Sequence, residues 1–514
     1  MGMGERQSAS GPDFAQGVDL ADVPDGATIS GRVGDDPVLL SRFDGQFYAV
    51  GGACTHYGAN LSDGITDGPM VRCPLHHACF DMRTGVALRA PALDPLPVWR
   101  VEVDGERLFV REKARPTEPE PIETEVRRIV IAGGGAAGLA CANELRRLGY
   151  AGEITMLSAD ADPPCDRPNL SKDYLAGSAP EEWLWLRSPD WYADHRIDLH
   201  LGLEATRVDV TARTVRCSSG ADFPFDRLLI DTGSEPNRLQ TPGFDRDSVF
   251  SLRSVADARA IAGRAGDGKR VAVIGSSFIA MEAAAALRAR GAEVDVVSPE
   301  HVPFDRVFGL AMGEYIRAIH QRNGVRFHLG TVASGFDGRA VTTANGDRIE
   351  ADVVLVGIGV QPRVDLARSA GAEVDNGVIV DEFLQTAVPG IYAAGDIASY
   401  PNPLSGDRLR IEHWVMAQRQ GQVAAANMLG NLLPFQSIPF FWSEQFGTAI
   451  RYVGNAARWD QVIVDGEIES GSFTIRYFSE GIHCATASVG RDRDNLEDEL
   501  NLESRVSTSA GRVW

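Results

Sequence analysis

The strongest constraint on the fold is a glycine-rich turn set between a short apolar run and an amphipathic one. Residues 128–132 read Arg-Ile-Val-Ile-Ala and are followed by Gly133-Gly134-Gly135-Ala136-Ala137-Gly138. An amphipathic stretch over 137–148 and a second apolar run at 154–157 complete the unit. An apolar strand, a helix and another apolar strand in succession predict a βαβ unit of a parallel sheet. In the G-x-G-x-x-G spacing, Gly133, Gly135 and Gly138 let backbone approach a pyrophosphate at a helix N-terminus, with Ala137 in the first helical turn. The pattern recurs at 270–274, 280–290 and 294–297, where the turn reads Gly275-Ser276-Ser277-Phe278-Ile279-Ala280. Two nucleotide-binding folds are therefore expected in one chain.

The regions around this core have a different grammar. Residues 13–113 hold short strand-like runs at 38–40, 47–50, 70–73, 98–103 and 108–110, separated by Asp-Gly and other glycine turns, which predicts a small all-β domain. Residues 114–126 are rich in proline and glutamate and read as a semi-extended linker. The predicted division is 1–12 disordered, 13–113 β domain, 114–126 linker, 127–254 and 376–432 two parts of one nucleotide-binding domain, 255–375 a second, and 433–514 a C-terminal α+β domain. A chain of 514 residues is long enough for several cores.

Within the β domain, Cys54-Thr55-His56 and Cys73-Pro74-Leu75-His76 form C-x-H and C-x-x-H pairs sixteen residues apart. Two thiolates for one iron and two imidazoles for the other is the donor set of a Rieske 2Fe-2S cluster. A mononuclear zinc site with the same four ligands is the rival, though C-x-H is a rare zinc spacing. The spacing favours His76 over its neighbour His77 as ligand, and Cys79 reads as a packed thiol. Cys141, Cys217 and Cys484 are expected to be buried structural thiols.

Further segments fit a bound flavin, plain structural turns being the alternative for those at 231 and 391. Asp160 follows the second strand of the first unit, where a carboxylate accepts ribose hydroxyls, a solvated loop acid being the alternative. Asp231-Thr232-Gly233 follows an apolar strand, and so does Ala394-Gly395-Asp396. Pro164-Cys165-Asp166-Arg167-Pro168-Asn169-Leu170-Ser171-Lys172, Glu412-His413-Trp414 and Phe441-Trp442-Ser443-Glu444-Gln445 resemble the flavin-side segments of putidaredoxin-reductase-type ferredoxin reductases and apoptosis-inducing-factor-like proteins. With the N-terminal domain, the chain resembles the Rieske-fused members of that group. The resemblance implies FAD held by the 133–138 turn, Asp160, Arg167, Thr232, Gly233, Gly395, Asp396, Glu412, His413, Trp414, Phe441 and Trp442. Asp396 would take the ribityl chain, Lys172 would approach the flavin N5 and Trp414 would stack near the ring. A surface lysine is the alternative for Lys172. High-potential Rieske loops resemble one another in an extra disulfide, whose positions here look like Ala59 and Leu75. The resemblance thus implies a cluster near the lower end of the Rieske range of about −150 to +300 mV. No second cysteine accompanies Cys165 as a dithiol pair.

The second turn, with Gly275, Ser277, Phe278, Ile279 and Glu282, and with Gly359, is expected to bind NADH or NADPH. Serine at 277 adds bulk where glycine is usual, while Ala280 still allows close helix packing. Glu282 matches a nicotinamide-side glutamate in similar reductases and is expected to pair with Lys172. Residues 297–300, Val-Ser-Pro-Glu, place Ser298 where an acid is common and show no adjacent arginine, which leans toward NADH. Lys172, Glu282 and Trp414 are the expected catalytic residues.

Fifty basic and 71 acidic residues give a net charge of −21, which disfavours nucleic acid and anionic membranes as partners. No run approaches the ~20 apolar residues of a membrane span, so a cytoplasmic protein, monomer or homodimer, is expected. The function implied is NAD(P)H-dependent reduction of FAD, transfer to the fused cluster, and delivery to an external acceptor such as an oxygenase. Two alternatives stand beside it: a slow redox sensor of the apoptosis-inducing-factor type, and a nitrite-reductase-like chain, for which a further four-cysteine cluster is missing.

Overall fold

The computed structural model describes residues 11–115 and 119–510. The expected disorder of 1–12 falls almost wholly outside these residues, as does part of the linker. The N-terminal region is all β. One antiparallel sheet has six strands, running in space from Val18–Asp19 through Arg107–Lys113, Val98–Asp104, Gln46–Gly51 and Asp36–Phe43 to Thr28–Val33. A second, of four strands, comprises Ile65–Asp67, Met70–Arg72, Cys79–Asp81 and Ala87–Arg89. Strand alternation decides which side chains enter the core: Leu108 and Val110 are buried, while Arg107 faces water and Phe109 and Arg111 are half-buried.

The first nucleotide-binding sheet is parallel, in the order Ile197–His200, Glu153–Leu157, Arg128–Ala132, Arg227–Ile230 and Ile391–Ala393. Its central strand is buried on both faces, which is why Ile129, Val130 and Ile131 read as an unbroken apolar run. The strand at 391 pairs beside 227–230, so the intervening chain loops out and returns. That excursion holds the second parallel sheet, Val249–Phe250, Val353–Val356, Arg270–Ile274, Glu293–Ser298 and Arg326–Leu329. The last region is a five-stranded antiparallel sheet, Phe440–Gln445, Thr448–Gly454, Ile482–Val489, Ser472–Ser479 and Gln461–Glu467, covered by the helix Asp492–Ala510.

Helix Trp414–Met428 is buried on almost every side and packs along helix Ala136–Arg147, the helix that opens at the first glycine turn. The contact is close enough that a methyl group on Gly421 would lie 2.1 Å from the Ala137 carbonyl oxygen. Gly421→Ala must push these backbones apart, and overpacking of this kind costs about 3 kcal/mol. A lower unfolding midpoint and reduced flavin retention are expected; unchanged values would show that the helices can separate freely.

One thiol departs from expectation. Cys141 and Cys217 are buried, but Cys484 is only half-buried, because it lies near the turn end of its strand beside exposed Ile482, and donates to the Ile482 carbonyl. No helix among the described residues is long and apolar enough to cross a membrane.

Candidate active site and cluster loops

The two cysteine loops share one backbone plan. Cys54 N–H donates to Ala59 O at 2.8 Å and Gly58 N–H to Cys54 O at 2.9 Å; Cys73 N–H donates to Ala78 O at 2.8 Å and His77 N–H to Cys73 O at 3.1 Å. The fourth position after each cysteine is left-handed, with φ +75° at Gly58 and +60° at His77. Histidine is therefore strained where glycine would be easy, and side-chain contacts compensate. The His77 ring accepts this geometry by meeting the Glu499 carboxylate at 2.8 Å and stacking on Phe440 at 4.0 Å. His77 is thereby engaged away from the ligand pair.

The remaining imidazoles converge, with His56 Nδ1 and His76 Nδ1 3.1 Å apart. Two nitrogens bound tetrahedrally at about 2.0–2.1 Å stand roughly 3.3 Å apart, so the spacing suits one shared metal ion. Burial pushes the His56 pKa down to about 3 and that of His76 well below the ordinary value, keeping both neutral, as ligands must be. The buried Cys54 and Cys73 thiols lie close enough to shift one another's titration and form a second pair. Among the described residues no three His, Cys, Asp or Glu side chains converge on one ion position. A thiol pair and an imidazole pair fit the two irons of a 2Fe-2S cluster better than a single zinc. Cys79 is buried, and desolvation pushes its thiol up to about 11.

Against these loops lies a cavity of about 910 Å³, large enough for a dinucleotide cofactor. Gly133, Gly135 and Ala137 form part of its wall. A methyl group on Gly135 would meet no protein atom within 4 Å, leaving its face open for a ligand's backbone approach. Gly138 lies beneath the turn instead: a Cβ there would press on Gly133 O at 2.4 Å and Asp231 Oδ2 at 2.6 Å. Asp160, Thr232, Gly233, Gly395, Glu412, His413, Trp414 and Phe441 also border the cavity. Arg167 holds Asp160 at 2.8 Å.

The cavity's polar side is more charged than the sequence suggested. Asp396 accepts from Ser234 at 2.6 Å and pairs with Arg253 at 3.0 Å. Burial pushes Asp231 up to about 7. Asp231 was read from sequence only as the start of the segment at 231, without a role of its own, and no role was expected of Ser234 or Arg253; their place after strand ends is the one signal that could have drawn attention to them. Lys172, 15% exposed, donates to Glu282 at 2.8 Å, and Glu282 also accepts from Ser171 at 2.5 Å and Ser443 at 2.7 Å. Its position is thus set by a buried carboxylate, unlike a free surface lysine.

Phe278 and Ile279 reach the same cavity, whereas Gly275, Ser277 and Gly359 gather just outside its lining. The Ser277 hydroxyl donates to Gly357 O at 2.8 Å, and a methyl on Gly275 would meet that same oxygen at 2.3 Å. Gly359 follows at φ +91°. These residues sit at the C-terminal ends of two central strands, the crevice where open parallel sheets bind nucleotides. Ser276 donates to Glu300 at 3.0 Å and lies 2.8 Å from Ser298. An arginine is present after all: Arg306, six residues on, stands 3.5 Å from Glu300, brought back by the turn into the following helix.

Trp442 joins the two sites. It lines the flavin-sized cavity, and its ring centroid is 4.2 Å from that of His76 and 6.2 Å from that of His56. On the other side Tyr57 stacks on His56 at 4.0 Å and its hydroxyl donates to Asp166, next to Arg167.

Fold and site together define an NAD(P)H-dependent flavoprotein oxidoreductase with a fused Rieske 2Fe-2S domain. The chain belongs to the pyridine nucleotide-disulphide oxidoreductase family, whose model matches residues 127–421. Rieske [2Fe-2S] domain and reductase C-terminal models match residues 17–100 and 440–513. Apoptosis-inducing factor 3 of Homo sapiens is 33% identical over 494 residues, covering 92% of this chain and 81% of that protein. Rhodocoxin reductase of Rhodococcus erythropolis is 37% identical over 373 residues, covering 72% and 87%. Among solved structures, the covalent putidaredoxin reductase–putidaredoxin complex matches with TM-score 0.71 and 31% identity, over 74% of this chain and 93% of that one.

Proposed function

We propose that the chain passes reducing equivalents from NAD(P)H, at the crevice by Gly275, through FAD in the large cavity to the cluster held by Cys54, His56, Cys73 and His76. From there they go to an external redox protein such as a ferredoxin or an oxygenase. FAD supplies the two-electron to one-electron conversion, and the cluster supplies a one-electron relay. Ferredoxin--NAD(+) reductase components of anthranilate and biphenyl dioxygenase systems are among the relatives, which supports such an acceptor.

The protein's part is to bind, orient and bias charge. Arg167 and the open face of Gly135 would hold the pyrophosphate, Asp160 and Asp396 ribose and ribityl hydroxyls, and Trp414 with Phe441 the ring system. Lys172, fixed by Glu282 at the cavity wall, would set a cation beside a bound flavin and favour the negative charge that its reduction develops. The observation that carries the reading is Trp442, whose indole forms cavity wall on one side and packs against His76 on the other. Trp442→Leu should slow flavin-to-cluster transfer by on the order of tenfold, as loss of a supporting partner of a ligand does. Rapid-mixing absorbance with NADH would detect this, and an unchanged rate would remove Trp442 from the route.

Glu300 supports NADH as the donor. Its carboxylate, held by Ser276 beside the nucleotide turn, can accept ribose hydroxyls and repel a 2′-phosphate, and it engages Arg306, the nearby cation that would otherwise receive that phosphate. Glu300→Ala should narrow the NADH over NADPH ratio of kcat/KM by about tenfold, ~1.4 kcal/mol. A ratio that stays constant would assign selectivity elsewhere.

A further inference from the structure

We propose that a buried charge clamp on the C-terminal helix fixes the Rieske domain over the outlet of the flavin cavity. A separate ferredoxin then cannot draw electrons from the flavin, and protein acceptors are served by the cluster alone. This rests on the reading above that flavin electrons reach the cluster, and adds where the external partner can and cannot act.

Three distant parts of the chain meet in the clamp. Glu499 and Glu503, one turn apart on helix Asp492–Ala510, are both buried. Glu503 pairs with Arg72 at 2.8 Å and Arg89 at 2.5 Å, both buried in the Rieske domain. Glu499 meets His77 at 2.8 Å and Arg419 of the long flavin-domain helix at 3.0 Å. Arg419 donates onward to the carbonyls of His77 at 3.1 Å and Ala90 at 3.3 Å.

Removing one side of a network so buried leaves uncompensated charges behind, so the closed arrangement depends on both carboxylates. Domains of one chain move relative to one another by default, and this buried network works against that motion. Around the clamp, Arg451 donates to Leu75 O at 2.9 Å, Arg493 to Gly64 O at 2.9 Å, and Gln422 accepts from Ala90 N–H at 2.9 Å. The covered outlet is the Trp442 edge, occupied by His76 and flanked by the Tyr57–Asp166 contact. A second redox protein has no approach to that edge while the clamp is closed. The left-handed conformation of His77 fits the same device, since its ring is the Rieske domain's contact with Glu499.

The test uses the full-length holoenzyme in three forms: wild type, Glu499→Gln/Glu503→Gln, and wild type with about ten Gly/Ser residues added to the linker, which lowers the effective concentration of any domain held by tether alone. Hydrogen–deuterium exchange is read at residues 55–60, 74–78 and 440–445, and flavin reoxidation is followed with a free oxygenase-type Rieske ferredoxin as probe. Slow exchange in wild type, unaltered by the longer linker and at least about tenfold faster in the double variant, is expected. Because the cluster itself serves the free ferredoxin, direct transfer is read as flavin reoxidation that outpaces the flow of electrons through the cluster, and only the double variant should show it. If that variant does not fold, the linker form carries the test with the clamp intact. Faster exchange on lengthening the linker, or direct flavin reoxidation by ferredoxin in wild type, would overturn the clamp. A cluster that stays oxidised under excess NADH would instead sink the underlying electron route, whatever the exchange rates.

Discussion

Cys73→Ala is expected to give a yellow protein that NADH still bleaches but that shows no Rieske signal by EPR. Cys73 forms half of the buried thiol pair, and its loop is anchored by its own N–H and carbonyl, so the backbone plan survives while the proposed ligand is lost. Loss of a partner that merely supports a ligand costs roughly 10–100-fold in affinity or activity, and loss of the ligand itself should exceed that. Reduction of a one-electron protein acceptor should fall by at least about 100-fold, the upper end of that range. If the cluster signal persisted, the ligand set would be wrong.

Lys172→Met should produce the other large effect. The variant removes the cation facing the cavity and leaves Glu282, buried and bonded to two serines, without its counter-charge. An uncompensated buried charge costs about 3 kcal/mol, so the unfolding midpoint should drop. Removal of one preorganised group that stabilises developing charge typically slows a step by about 10²–10³, and flavin reduction by NADH should slow on that scale. A variant as fast as wild type, with only its stability reduced, would restrict Lys172 to a structural role.

Much of the architecture was legible because periodicity is a local property. The apolar runs at 128–132 and 270–274 became central parallel strands, and the glycine turns after them became helix starts, since both patterns report burial within a few residues. The Cys and His loops were legible for the same reason: spacing along one turn decides which side chains can meet. The roles of Gly421, Arg253 and Ser234 were not, because each depends on a partner more than a hundred residues away. His77 shows the limit most clearly. The sequence offers it only as the less favoured of two neighbouring histidines, and the carboxylate that engages it lies 422 residues downstream. Cys484 misled in the opposite direction, because a strand-like context does not say which strand end is exposed.

The most direct test of the central claim is one anaerobic mixing of the purified protein with NADH, following flavin absorbance and the cluster's EPR signal at several protein concentrations. Flavin reduction followed by cluster reduction, at a second rate independent of protein concentration, is the expected result. A reduced flavin beside an oxidised cluster, or cluster reduction that quickens as the protein is concentrated, would contradict transfer within one chain.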